Sequence, residues 1–119
     1  MKTALLKKNN ETLIPHVTLA LSPLKRMRGL IGKQSLGKDC AVYFPFCNCV
    51  HTFFMSFDLD LIFLDKKLIV KKIARGVKRN KMVFGGCSVY GVLEMESGWF
   101  SEGLIKEGDS VSLDISEKA

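Results

Sequence analysis

The large apolar residues of this chain concentrate between positions 45 and 65, PFCNCVHTFFMSFDLDLIFLD, where five Phe occur. A run that is apolar at both odd and even positions belongs to strands covered on both faces, so it is expected at the centre of the fold. Elsewhere the pattern alternates. Residues 3–6 and 13–21 read as an antiparallel pair around Asn9-Asn10, with Val17, Leu19 and Leu21 opposed to His16, Thr18 and Ala20 and with Pro15 marking an edge. Ser22-Pro23 is a helix-start signal, and the spacing of Leu24, Met27, Leu30 and Ile31 predicts a short helix ended near Gly29 and Gly32. Residues 41–46 form a strand, 50–55 a second or an irregular approach to one, and 59–64 with 68–73 the clearest hairpin, turning at 65–67. Residues 75–91 hold four of the ten glycines and read as a long connection or a loosely paired ribbon. A strand at 92–96, a short helical turn at 99–106 closed by Gly108, and a last strand at 111–115 complete the chain. Short strands at this spacing with one or two brief helices predict an α+β, mainly β fold: a small, partly closed antiparallel β-barrel-like domain.

Length and composition narrow the setting. A chain of 119 residues fits a single domain, 1–119, able to bury one hydrophobic core without staples. The N-terminal MKTALLKKNN lacks the apolar core of a signal peptide, and no stretch has the length of a membrane span. The expectation is a soluble, cytoplasmic monomer whose four Cys are reduced thiols. The net charge of +6 is uneven: residues 71–81 carry six basic groups and no acidic one, whereas 82–119 carry two basic and seven acidic. If the basic segments meet on one surface, that surface attracts anions.

Chemistry-bearing residues fall mostly inside the apolar blocks. Cys47, Cys49 and His51 alternate, so a strand places them on one face, but its rise holds Cys47 and His51 too far apart for one zinc ion. No metal and no cofactor is expected, and buried thiols are the simpler reading. Asp58 and Asp60 share a face and allow acid-base chemistry, against the plainer role of strand start and hydrogen-bonded carboxylate. Asp60 and Glu94, each within an apolar strand, stand apart, because a bare buried carboxylate loses its charge or acquires donors. The basic run KKIARGVKRNK has the density of a nucleic-acid or membrane-surface patch, yet it lacks the interleaved aromatics that stack bases.

Three blocks then carry a resemblance: Arg28-Gly29-Leu30-Ile31, the stretch CNCVHTFFMSFDLDLIFLD from Cys47 to Asp65, and VLEMESG at 92–98 with the later Gly108-Asp109. In these the chain resembles the domain of unknown function 192 family, which implies a small mainly β, barrel-like domain and no established activity. The leading expectation is a non-enzymatic binding module that holds a small anionic ligand or a partner's segment at one end of the barrel, through Arg28, His51, Thr52, Asp60 and Glu94. A small acid-base enzyme using His51 with Asp60 or Glu94 is one alternative. A protein that docks its basic face on nucleic acid or an anionic membrane is the other.

Overall fold

The computed structural model of the chain describes residues 2–20, 36–53 and 55–116. Nine strands occur among them: β1 Thr3–Lys8, β2 Glu11–Leu19, β3 Cys40–Pro45, β4 Cys49–His51, β5 Leu59–Leu64, β6 Val70–Val77, β7 Met82–Phe84, β8 Gly91–Glu96 and β9 Ser112–Ser116. The helix expected from Ser22, with Arg28 in it, lies outside the described residues. The helical turn expected at 99–106 is a series of turns and bends instead, because Gly98 and Gly103 take φ of 108° and 87° and break any helical run.

Seven strands form one sheet in the order β6-β5-β8-β3-β2-β1-β9, and β4 pairs with β7 in a separate ribbon. The sheet is mixed rather than antiparallel throughout, since β2 and β3 run parallel from His16 opposite Cys40 to Leu19 opposite Tyr43. Parallel neighbours need a crossover, and the chain between Leu19 and Cys40 supplies one. The hairpin at 65–67 joins β5 and β6 as expected, and Asn9 and Asn10, with φ of 53° and 65°, make the left-handed turn between β1 and β2.

The sheet does not close into a barrel. Its edge strands approach only through the segments that lead into them: Ile69 bridges Ser110, Val70 N donates to Asp109 O at 2.9 Å, and Val111 N donates to Leu68 O at 3.0 Å. Beyond these bonds β6 and β9 are unpaired with each other, and among the described residues the sheet keeps two open edges.

Alternation sorts the central strands onto two cores. One face gathers Leu6, Ile14, Val17, Tyr43, Ile62, Leu64, Leu93 and Met95, closed over by Phe100 and Ile105. The other gathers Val42, Phe44, Leu61, Phe63 and Val92 under Val50, Met55 and Val89. β5 is buried at every position because both cores use it, which is the physical content of its unbroken apolar sequence. The ribbon lies on the second face through Val50 and Val83. Gly85 lets it lie close, since a Cβ there would collide with the ring of Phe63.

Candidate functional site

Asp60 and Glu94 lie on adjacent strands one register step apart, with Asp60 opposite Met95 and Leu61 opposite Glu94. They therefore point to opposite faces of the sheet. Asp60 is 3% exposed on the first face. Pairing of β5 with β6 slips from Leu59 opposite Val77 to Leu61 opposite Ala74, so Asp60 faces a bulge formed by Arg75 and Gly76. Gly76 takes a φ of 61°, and its N–H donates to Asp60 Oδ1 at 2.8 Å. Arg75 Nη2 stands 3.9 Å from Asp60 Oδ2 and also donates to the carbonyl of Phe100, with its guanidinium 6.0 Å from that ring. Arg75 Nε reaches Glu102 at 3.9 Å. Asp60 Oδ2 is buried without a hydrogen bond, as is Trp99 Nε1 in the same loop region. The arrangement anchors the 99–102 loop to the edge hairpin and seals the carboxylate from solvent.

Glu94 is 8% exposed on the second face, beside Val42 and Leu61. Among the described residues no hydrogen bond or ion pair holds it, and burial pushes its carboxyl up to about 8. Two residues along, Glu96 Oε1 accepts from Leu36 N at 2.9 Å, so this face adjoins the chain that enters β3.

His51 belongs to neither carboxylate. It sits on the outward side of the ribbon, where Cys49 pairs with Phe84 and His51 with Met82. Its ring stacks on Phe53, with centroids 5.3 Å apart and planes at 24°. Met82 is 68% and Phe84 52% exposed on that side, and Phe53 is 37% exposed. Thr52, fully buried, is occupied by the backbone of the basic turn: its Oγ1 donates to Lys78 O at 2.7 Å and accepts from Lys81 N at 2.9 Å, while its own N donates to Lys81 O at 2.9 Å. Residues 78–81 are thus clasped to the ribbon rather than forming a loose connection.

Of the five residues singled out in the sequence, the structure brings Thr52 and His51 together on the ribbon and places Asp60 and Glu94 apart, and Arg28 lies outside the described residues. Arg75 stands in the sequence only as one charge of a basic run, yet the structure sets it beside Asp60. The hairpin at 65–67 was a signal that residue 60 faces the neighbourhood of 75, but the bulge that turns Arg75 and Gly76 toward it leaves no such mark. Among the described residues no group of three or more His, Cys, Asp or Glu is placed to hold a metal ion; the Cys47 thiol donates to the Cys49 carbonyl at 3.2 Å.

Known proteins bear on this geometry at the level of family and fold. Residues 4–113 match the model of the DUF192 family, described as an uncharacterized ACR. A UPF0127 protein of Thermococcus gammatolerans is 32% identical over 109 residues, covering 87% of this chain and 69% of that protein. Among solved structures, a protein of unknown function from Novosphingobium aromaticivorans superposes with a TM-score of 0.78 at 21% identity, over 92% of this chain and 83% of its own. A putative transcription regulator from Sinorhizobium meliloti gives 0.79 at 20% identity, over 95% and 94%.

Proposed function

The chain belongs to the DUF192 family, and we propose that it is a non-enzymatic binding module whose contact surface is the outward side of the ribbon formed by β4 and β7. One observation carries this reading: Met82, Phe84 and Phe53 stand exposed together around His51, while the ribbon's inward residues Val50 and Val83 already supply its packing. Exposed apolar side chains gathered on one surface gain nothing from folding and gain on contact with a partner. His51 enters this surface directly, and Thr52 acts as the residue that holds the turn 78–81 beside it. Arg28 enters the reading from the sequence alone, as a cation for an anionic partner.

The small-ligand form of the reading would draw on Asp60 and Glu94, but these face opposite sides of the sheet. The acid-base alternative lacks a dyad among the described residues, since no hydrogen bond joins His51 to either carboxylate. A partner segment laid along the ribbon needs neither.

Native mass spectrometry of the protein purified from its own cells tests the reading. A retained species is expected with the wild-type chain and not with Met82→Ser/Phe84→Ser, while both chains unfold at nearly the same temperature. A species held equally by both chains would move the site off the ribbon.

A further inference from the structure

Resting on the ribbon as the contact surface, we infer that its occupant is single-stranded nucleic acid, with bases laid against the rings of His51, Phe53 and Phe84 and phosphates met by Arg79 and Lys81. Two observations combine here. The basic run has no aromatic residue from 71 to 81, but Phe84 follows three residues after its end, and the pairing of β4 with β7 brings His51 and its stacked neighbour Phe53 from elsewhere in the chain to lie alongside. His51 and Phe53 present one stacked pair of rings, with centroids 5.3 Å apart, and Phe84 stands two residues along β7 from Met82, the residue opposite His51, so the three rings make one platform against which the bases of a single strand can lie.

The second observation is the state of the cations. Lys72 is engaged with the carbonyl of Phe84 at 2.8 Å, Arg75 with Asp60, and Lys78 with Asp58 at 2.8 Å. Arg79 and Lys81 are exposed and have no side-chain hydrogen bond or ion pair among the described residues. Their backbone is nonetheless held in place, since Thr52 binds the turn on both sides of Arg79. Two exposed cations, unpaired among the described residues, on a clasped turn beside an exposed ring surface are the two components that sequence-tolerant single-strand binders combine: an electrostatic track for the backbone and a stacking platform for the bases.

An anionic membrane shares the charge requirement but fits the ribbon less well. Inserting this surface would carry the His51 imidazole, at its centre, toward hydrocarbon with no partner for its ring nitrogens among the described residues, a cost avoided when the ring stacks on a base and its edge stays in water.

Fluorescence anisotropy with end-labelled 12-nucleotide RNA and DNA of mixed sequence, at about 50 and 200 mM salt, decides the matter. Binding is expected at the lower salt. Phe84→Ala should weaken it roughly tenfold or more, as loss of a stacking ring does. Arg79→Ala/Lys81→Ala should weaken it and flatten the dependence of log K on log salt by about 1.4, the share of two phosphate contacts on a single strand. All these side chains are exposed, and circular dichroism melts check that the variants fold. Absence of binding at 50 mM salt overturns the inference. So does binding that ignores Phe84→Ala and follows the charges alone, which is adhesion without a platform. Sedimentation with phosphatidylcholine vesicles containing about 30% phosphatidylserine runs alongside. Vesicle binding without oligonucleotide binding, lost in Phe84→Ala, overturns the nucleic-acid occupant but leaves the ribbon as the contact surface. A partner retained equally by Met82→Ser/Phe84→Ser overturns the ribbon reading itself.

Discussion

Asp60 and Glu94 occupy neighbouring strands of one sheet, one register step apart, and both are nearly buried, yet they are in opposite situations. Asp60 lies at a bulge in an edge strand, where the ladder is interrupted and the Gly76 N–H is free to turn onto its carboxylate, with Arg75 close by. Glu94 lies on β8, between β3 and β5, where the backbone amides around it are committed to their own ladders. With no donor to spare, burial alone acts on it, and its carboxyl is pushed up to about 8. Two buried carboxylates therefore differ in their backbone partners according to the regularity of the neighbouring strand, because only an irregular strand has uncommitted donors.

The contrast breaks first at Asp60. Asp60→Ala should cost about 2–4 kcal/mol in urea unfolding, because it strands the Gly76 N–H and the partly buried Arg75 charge. Asp60→Asn, which retains an acceptor for Gly76, should cost visibly less, and equal losses in the two variants would show that the N–H bond contributes little.

Glu94 should reveal itself through pH rather than through a loss. Its folded carboxyl holds a proton up to about 8, whereas the unfolded chain releases it near 4.5, so the folded state binds more protons across that window. Stability attributable to this group therefore falls as pH rises from about 4.5 to about 8 and levels off above. Glu94→Gln should remove that slope, leaving the variant near wild type at pH 5 and clearly more stable than wild type at pH 8.5. Parallel stability-pH curves for the two chains would show that Glu94 finds a donor in solution.

Within the basic run the same contrast recurs between a cation with a buried partner and cations without one. Arg75→Met should cost about 1 kcal/mol, since it removes the charge facing Asp60 and the bond to the Phe100 carbonyl. Neutralising Lys78, Arg79 and Lys81 together should leave the melting temperature nearly unchanged, because the Lys78 ion pair is well exposed at 73% of its side chain and the other two have none among the described residues. A large drop would mean that these side chains support the turn that Thr52 clasps.

Local pattern was enough to locate most strands, the hairpin at 65–67, the centrality of 59–64 and the suspicion attached to Asp60 and Glu94, since all of these follow from side-chain alternation and turn chemistry between near neighbours in the chain. It placed both carboxylates inside apolar strands but was silent on whether the two would meet, because that depends on which strand lies beside which and in what register. It also expected an antiparallel barrel, where a long connection places β3 parallel to β2 and the sheet stays open. Most tellingly, the basic run 71–81 has no aromatics of its own, and only the pairing of Cys49–His51 with Met82–Phe84 brings His51 and Phe53 to its end, beside Phe84. Alternation along a strand is dictated by the chain itself, but a surface built from two strands some thirty residues apart, and a bulge that frees one amide, arise only when the backbone hydrogen bonds of the whole sheet are satisfied together.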